Sequence, residues 1–276
     1  MRKVLKIWII AVGIFGFGVT KAVSQTKETQ IAELFNGRTH VSLQKDTLHY
    51  RLLKPLDYDP NKQYPLVVFL SGGAGRGTDN IKQIAGSKAA QVLSTVENRK
   101  KYPAFLFVPQ CPPGADWGRS PGKSERERLI ARGRYNQPNV EALVFETIAA
   151  LEEEFNIDSS RRYITGQSMG GYGTWHYILS RPQMFAAAIP ICGGANPDLA
   201  KNIADMPLWV FHGDKDKTVP VDFSRNMVAA IKKAGGKPKY TEFPGVGHSS
   251  WHPAFDTPEL LDWLFAQVKE RERNER

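Results

Sequence analysis

The sequence predicts an α/β domain built on a mostly parallel central sheet, with helices on both faces of the sheet. Three observations support this fold class: short apolar runs alternate with segments of helical periodicity, the runs are apolar on both faces, and turn residues follow each run. Strands with two apolar faces are typical of a parallel sheet, because the connecting helices cover both of its sides. The predicted strands are residues 66–70, 105–108, 163–165, 186–191 and 208–211.

The segments between these strands have the spacing of amphipathic helices. In residues 140–155, apolar side chains recur at intervals of three and four residues, which predicts a helix with one buried face. The same periodicity predicts helices over residues 222–234 and 257–268. The last of these opens with Thr257 and Pro258, a capping residue followed by a first-turn proline.

The first 24 residues have the three parts of a secretory signal peptide. Positive residues come first, an apolar run covers residues 7–19, and the small residues Ala22 and Ser24 form a cleavage pattern before Gln25. The apolar run is thirteen residues long, whereas about 20 residues are needed to span a bilayer. We therefore expect export, periplasmic or secreted, with removal of residues 1–24, a mature chain of residues 25–276 and no stable membrane span.

The charge balance argues against nucleic acid as a partner. The chain of 276 residues has a formal net charge of +9, and several of its positive residues lie in the predicted leader. Part of the remaining surplus lies in residues 124–134 and 269–276, where arginine and lysine are mixed with glutamate. Mixed runs of this kind are typical of solvated faces rather than of a continuous basic track.

The two cysteines, Cys111 and Cys192, lack the spacing of metal ligands. Each lies at the end of an apolar run, which favours two buried thiols. Export would permit a disulfide between them, so the pairing stays open at the level of sequence.

Ser168 is the strongest candidate for a catalytic residue. It lies in a G-x-S-x-G segment, residues 166–170, between a predicted strand and a helical pattern over residues 171–179. A strand-to-helix elbow with an exposed serine hydroxyl at its tip requires glycine on both sides. The sequence therefore predicts a nucleophile elbow with Ser168 as the attacking group.

A serine hydroxyl needs a general base and a carboxylate that orients the base. Downstream of Ser168, the chain supplies Asp216 on the loop after strand 208–211, and His248 on the turn after a strand-like run at residues 240–243. Two alternatives remain: Asp214 competes with Asp216 for the acid role, and His252 competes with His248 for the base. His212, at the end of a strand, is interpreted as a histidine that braces the loop.

Residues 212–220 have the sequence HGDKDKTVP. This segment resembles the acid loop of the α/β-hydrolase superfamily, in which the second aspartate belongs to the triad. The chain is similar in particular to bacterial esterases often labelled predicted peptidases, to the phospholipase/carboxylesterase group and to feruloyl and acetyl esterases that act on polysaccharides. The resemblance implies one α/β-hydrolase catalytic domain over residues 25–276. Further blocks that carry it are residues 73–80 (GAGRGTDN), 109–112 (PQCP), 190–194 (PICGG) and 247–251 (GHSSW).

The resemblance also implies an oxyanion hole built from the backbone N–H groups of Gly73 and Met169. Two positions depart from the family pattern. The loop after the first central strand usually begins with histidine, where this chain has Ser71, and often carries a glutamate before the arginine, where this chain has Gly75. Because the expected donors are backbone groups, these changes leave the oxyanion hole possible, but they alter how the loop is braced.

Three residues are expected to line the substrate pocket: Gln167, Trp117 and Trp251. The stretch from residue 114 to residue 138 is longer than a usual strand-to-helix connection, and we interpret it as a lid at the mouth of the site. An acidic substrate could meet its arginines, although neighbouring glutamates make a solvated helical flap the default. These arginines are Arg119, Arg126, Arg128, Arg132 and Arg134.

The predicted function is that of an exported serine hydrolase that cleaves carboxylic esters through an acyl-enzyme. Its partner would be a small-molecule or oligosaccharide ester, a feruloyl or acetyl ester among them, and no metal or organic cofactor is expected. A serine peptidase of the prolyl-oligopeptidase type is the alternative enzyme, disfavoured because the chain has no room for a propeller. The third hypothesis is an inactive carbohydrate-binding or scaffold protein. The oligomeric state does not follow from the sequence.

Overall fold

An eight-stranded sheet forms the centre of the structure. The computed structural model describes residues 31–118 and 139–269, so the predicted signal peptide and most of the predicted lid lie outside the described residues. The strands are β1 (Asn36–Val41), β2 (Thr47–Leu53), β3 (Tyr64–Leu70), β4 (Phe105–Pro109), β5 (Ile157–Gln167), β6 (Ala187–Ile191), β7 (Trp209–Gly213) and β8 (Lys239–Phe243).

The strands lie in the order β1-β2-β4-β3-β5-β6-β7-β8. The pairs β1/β2 and β2/β4 are antiparallel, and every other neighbouring pair is parallel. This confirms the mostly parallel sheet, and each of the five apolar runs is a strand. Strands β1 and β2 were not among the predicted strands, because β1 is largely exposed and β2 alternates buried with partly exposed residues.

Helices cover both faces of the sheet, as predicted. One face packs against α3, α4 and α5, and the other against α1, α6 and α7. Within the described ranges, no helix has both the length and the apolar character needed to cross a membrane. The helices are α1 (Lys88–Leu93), α2 (Val96–Lys101), α3 (Val140–Glu154), α4 (Met169–Ser180), α5 (Asp222–Lys233), α6 (Trp251–Phe255) and α7 (Leu260–Phe265).

The predicted helix over residues 257–268 was wrong at both ends, since α7 covers only Leu260–Phe265. Thr257 does not cap α7 with its side chain. Instead, its hydroxyl donates a hydrogen bond (3.1 Å) to the carbonyl oxygen of Pro253, a residue of the preceding short helix α6. The helices predicted over residues 140–155 and 222–234 agree with α3 and α5 to within one residue at each end.

Both cysteines are buried free thiols, which agrees with the favoured interpretation and rules out a disulfide in this structure. Burial raises the pKa of Cys111 and that of Cys192 to about 12. Both side chains are therefore protonated at neutral pH.

One ion-pair network joins α5 to the edge strand β8. The guanidinium of Arg225 donates to both carboxylate oxygens of Glu242, at 2.9 and 2.6 Å, and also to Asp222 at 3.0 Å. The hydroxyl of Tyr240 donates to Glu242 as well, at 2.6 Å. The hydrogen bonds from Arg225, followed by the one from Tyr240, lower the pKa of Glu242 to about 2.

We expect Glu242→Gln to lower the free energy of unfolding by about 1 kcal/mol at neutral pH, because Arg225 is half-exposed and water screens the pair. A carboxylate with a lowered pKa stabilises the fold above its unfolded pKa, and this contribution is lost as pH falls toward the folded pKa. The gap between the two proteins should therefore shrink from about pH 4.3 downward. Denaturant titrations from pH 7 to about pH 3 measure the gap. Asp222→Asn is the control with a smaller effect, and a gap that is independent of pH would contradict the prediction.

Candidate active site

Ser168 lies at the sharp turn between β5 and α4. Its backbone is in the left-handed region, with φ +55° and ψ −116°, a strained conformation for a residue with a side chain. Glycine is required on both sides. A Cβ on Gly166 would lie 2.3 Å from the carbonyl oxygen of Gly170, and a Cβ on Gly170 would lie 1.8 Å from that of Leu70. The close approach of these backbones gives the elbow that the sequence predicts.

Three side chains from distant parts of the chain form a continuous line of hydrogen bonds. Oγ of Ser168 lies 2.8 Å from Nε2 of His248, and Nδ1 of the same ring lies 2.7 Å from Oδ2 of Asp216. A carboxylate only accepts hydrogen bonds, so Nδ1 carries the proton and Nε2 is free to accept one from the serine hydroxyl. The arrangement can therefore move a proton from Ser168 to His248 while Asp216 orients the ring and stabilises its charged form.

The carboxylate of Asp216 is fully buried and held by several donors. Its Oδ1 accepts the backbone N–H groups of Thr218 and Val219, both at 2.8 Å. Burial alone would raise the pKa of Asp216, but the hydrogen bonds from His248 and from these two N–H groups outweigh it and lower the pKa below its ordinary value. Asp216 is thus ionised at neutral pH.

The competing acid and base lie elsewhere. Oδ1 of Asp214 accepts the backbone N–H of Gly245 at 2.7 Å, and its other oxygen lies 3.5 Å from the Lys215 ammonium group. His252 lies exposed on the short helix α6. Neither side chain hydrogen-bonds to Ser168, Asp216 or His248, so the geometry favours Asp216 and His248.

His212 is fully buried beneath the acid loop. Its Nε2 donates to the carbonyl oxygen of Val219 at 3.0 Å and lies 3.3 Å from Oδ2 of Asp216, and its Nδ1 lies 2.7 Å from the hydroxyl of Ser224. Burial lowers the pKa of His212 and so favours the neutral ring. These contacts tie the two ends of the loop that carries Asp216, which matches the bracing role predicted for His212.

The segment predicted to supply the oxyanion hole runs beside the nucleophile. A Cβ on Gly72 would lie 3.7 Å from Cβ of Ser168, and Gly73 begins a 3₁₀ turn, Gly73–Gly75. Met169 is the first residue of α4, and the first backbone N–H groups of a helix have no partner within the helix. The segment that contains Gly73 therefore runs close to Ser168, and Met169 directly follows Ser168, while the role of both as oxyanion donors stays a prediction. We call residues 71–77 the oxyanion loop.

The oxyanion loop is braced by the segment that follows β4. The indole N–H of Trp117 donates to the carbonyl oxygen of Ser71 at 2.8 Å, and the ring is 1 % exposed. The side chain of Gln110 donates to Gly75 at 3.3 Å and to Asp79 at 2.8 Å. These contacts hold the loop without the family's histidine and glutamate, and they place Trp117 beneath the loop.

The other two predicted pocket residues lie near the nucleophile. Trp251 packs edge to face with the ring of His248, with ring centroids 5.4 Å apart and an interplanar angle of 90°. Gln167 precedes Ser168, and its Cγ lies 3.7 Å from the Cβ position of Gly72. The Oε1 atom of Gln167 is buried and has no hydrogen-bond partner among the described residues. Contact of these residues with substrate stays a prediction.

Three further residues near the site, Tyr172, Phe223 and Arg76, were not predicted as site residues from the sequence. Tyr172 lies one helical turn after Ser168, and its ring contacts that of Phe223 edge to face at 6.2 Å. The third, Arg76, lies on the oxyanion loop. Spacing along α4 could have suggested Tyr172, because residues four apart share a helix face. Phe223 is joined to Tyr172 only by a tertiary contact, and the loop of Arg76 lies near Ser168 for the same reason.

Cys192 completes a cluster of potential metal ligands with Asp216 and His248, whose ligand atoms all lie within 4.8 Å of one another. A metal ion at this position would require proton loss from the Cys192 thiol, whose pKa is about 12. The hydrogen bonds already present suit a proton relay better than a metal site.

Comparison with known proteins shows one matching family and several similar proteins. The model of the Esterase family, described as "Putative esterase", matches residues 42–219. The solved structure "Crystal Structure of a Thermostable Esterase" is similar with a TM-score of 0.79 and 40% identity, over 87% of this chain and 64% of that one. This chain therefore spans slightly less than two thirds of that esterase's length.

Two curated relatives are more distant. "Probable feruloyl esterase C" of Aspergillus niger is 23% identical over 73% of this chain and 67% of its own. "Uncharacterized peptidase YuxL" of Bacillus subtilis is 22% identical over 72% of this chain, but over only 33% of its own length.

Proposed function

This chain belongs to the Esterase family, and on that premise we propose that it hydrolyses carboxylic esters through an acyl-enzyme formed on Ser168. The observation that carries the proposal is the line of hydrogen bonds from Ser168 through His248 to Asp216, which begins at a strained elbow beside the oxyanion loop.

In the first half of the reaction, Oγ of Ser168 attacks the ester carbonyl carbon while Nε2 of His248 takes the hydroxyl proton. The carbonyl oxygen becomes an oxyanion, which accepts hydrogen bonds from the backbone N–H groups of Gly73 and Met169. When the tetrahedral intermediate collapses, the C–O bond to the alcohol breaks. His248 returns its proton to the departing alkoxide, and an acyl group remains on Ser168.

In the second half, water takes the place of the alcohol. His248 removes a proton from the water as its oxygen attacks the acyl carbon, and the same oxyanion hole stabilises the new intermediate. Collapse breaks the bond to Oγ of Ser168, the serine regains its proton from His248, and the carboxylic acid is released. His248 thus takes part in every proton transfer of the two half-reactions.

We further propose that the substrates include feruloyl or acetyl esters from plant polysaccharides. Partly exposed aromatic rings lie near the triad: Trp251 packs against His248, and Tyr172, one helical turn after Ser168, contacts Phe223. Aromatic side chains of this kind favour an aromatic acyl group through edge and stacking contacts. The likeness to a feruloyl esterase supports the same class.

Matched pairs of substrates test ester against amide hydrolysis. We expect turnover of para-nitrophenyl acetate and methyl ferulate, and turnover that is slower by orders of magnitude for para-nitroacetanilide and proline-containing peptide anilides. The likeness to a peptidase makes the amide arm necessary. Faster cleavage of the peptide anilides than of both esters would favour the peptidase instead.

Fluorophosphonate labelling tests the third hypothesis, that of an inactive binding protein. The reagent reacts with a serine only where a neighbouring base activates it. We expect covalent labelling of one residue, Ser168, identified by peptide mass. An unlabelled protein that is folded by circular dichroism would support the inactive alternative.

We propose export as well, on the strength of the predicted signal peptide in residues 1–24. N-terminal sequencing of the protein recovered from its native host tests this. A mature terminus at Gln25 is expected, and an intact Met1 would contradict export.

The brace under the oxyanion loop should matter for turnover. We expect Trp117→Phe to lower kcat for esters by about tenfold with little change in KM, because the loop would lose its bond at Ser71 and the oxyanion donors would shift. Steady-state kinetics well below the unfolding temperature measure this. Trp263→Phe, a change at a half-buried tryptophan on α7, is the control expected to keep its activity. Equal kcat in both variants would show that the brace is dispensable.

A further inference from the structure

Arg76 extends from the oxyanion loop, and some of its donors have no partner among the described residues. The residue is partly buried, its backbone N–H closes the 3₁₀ turn onto the carbonyl oxygen of Gly73, and its Nε donates to the carbonyl oxygen of Ala115 at 2.7 Å. A guanidinium has five N–H donors. One is used at Ala115, and the side chain also hydrogen-bonds the buried thiol of Cys111. Nη1 lies 3.3 Å from the position that a Cβ on Gly73 would occupy.

Within residues 31–118 and 139–269, no carboxylate forms an ion pair with Arg76. The preceding residue is Gly75, and a Cβ there would lie 2.4 Å from Oγ of Ser71, so this turn excludes an acidic side chain next to the arginine. The carboxylates on the adjoining segments have other partners. Asp116 accepts the N–H of Gly118 at 3.0 Å, and Asp79 accepts backbone N–H groups and the Lys82 ammonium.

The guanidinium also lies close to the reacting groups. Gly73 is one of the two proposed oxyanion donors, and a Cβ on the neighbouring Gly72 would lie 3.7 Å from Cβ of Ser168. A substrate whose carbonyl carbon is bonded to Ser168 therefore passes beside Arg76 with one of its two halves. A carboxylate separated from that carbonyl by a short chain or one ring would meet the free edge of the guanidinium, which matches a carboxylate with two parallel N–H donors.

We propose that Arg76 recognises a carboxylate on the substrate, so that the enzyme prefers esters with an anionic group near the scissile bond. This inference rests on the proposed ester hydrolysis. The carboxylate belongs to the acyl half, as in a monoester of a dicarboxylic acid, or to the alcohol half, as in an ester of a sugar acid. The recognising chemistry is the same in both cases, and two pairs of substrates separate them.

Each pair differs in one negative charge. For the acyl half, mono-para-nitrophenyl glutarate is compared with para-nitrophenyl hexanoate. For the alcohol half, para-acetoxybenzoate is compared with its methyl ester. We measure kcat/KM for the wild type, Arg76→Gln, Arg76→Lys and Trp117→Phe, the last as a change that loosens the oxyanion loop without removing charge.

The wild type should prefer the anionic member of at least one pair, and added salt should weaken that preference. Arg76→Gln should lower kcat/KM for the anionic member by about 10- to 100-fold more than for the neutral member, whose own slowing reports the loss of the contact between Arg76 and Ala115. Arg76→Lys should retain part of the preference, and Trp117→Phe should slow both members alike.

Equal slowing of both members by Arg76→Gln, or a wild type without preference for the charged member of either pair, would overturn the inference while ester hydrolysis stands. A wild type that hydrolyses none of the four esters and resists fluorophosphonate would overturn the inference and the proposed function together.

Discussion

Ser168→Ala is expected to lower kcat for esters by roughly 10⁴- to 10⁶-fold, because the variant keeps the binding site and the oxyanion hole but loses the atom that forms the acyl-enzyme. Turnover of para-nitrophenyl acetate at high enzyme concentration measures the residual rate. Labelling by fluorophosphonate should disappear at the same time. Alanine retains the Cβ that the elbow already accommodates at positive φ, so the fold should persist.

Ser249→Ala is the matched control for this experiment. Ser249 is an exposed serine directly after His248, and its hydroxyl has no hydrogen bond in the described structure. We expect wild-type kcat and normal labelling for this variant, and circular dichroism and thermal midpoints close to wild type for both. Ester turnover that survives in Ser168→Ala would refute Ser168 as the nucleophile.

Asp216→Asn should produce the second large effect, a loss of about 10⁴-fold in kcat. The asparagine side chain can present an N–H to Nδ1 of His248, which favours the ring form with its proton on Nε2, and that nitrogen then cannot accept the proton of Ser168. The lowered pKa of Asp216 means that the wild-type carboxylate is charged throughout the neutral range. Steady-state kinetics at about pH 7 to 8 measure the loss.

Asp214→Asn separates the two candidate acids. Its carboxylate contacts Gly245 and Lys215 rather than His248, so we expect kcat to change by no more than a few-fold. A severe loss in Asp214→Asn combined with mild behaviour of Asp216→Asn would reverse the assignment. Comparable losses in both would indicate a general disturbance of the loop, which thermal unfolding of the two variants would reveal.

Much of the site was predictable because its signals are local. A strand, an elbow with two glycines and a helix are written in consecutive residues, and the structure forms them around Ser168. The order of serine, aspartate and histidine along the chain restricted the partners to two acids and two histidines. The resemblance of residues 212–220 to the acid loop favoured Asp216 over Asp214, and the directions of the two side chains in the structure agree with that choice.

The surroundings of the triad were less predictable. Trp117 was expected to line the substrate pocket. In the structure it is buried, and its indole N–H donates to the carbonyl oxygen of Ser71. Arg76 and Ala115 are joined across two loops that follow different strands. Such contacts form because β3 and β4 lie side by side. The sequence of either loop alone does not predict which loop it will contact.

The amino-acid sequence by itself determined the α/β class, the buried strands and the elbow, because apolar periodicity and glycine positions act within a few residues of the chain. Only the tertiary structure decided how Asp216 meets His248, what braces the oxyanion loop and that Arg76 has no carboxylate partner among the described residues. The physical reason is that hydrogen bonds and ion pairs require atoms to meet within about 3 to 4 Å, and residues far apart in sequence reach that distance only when the sheet brings the ends of its strands together.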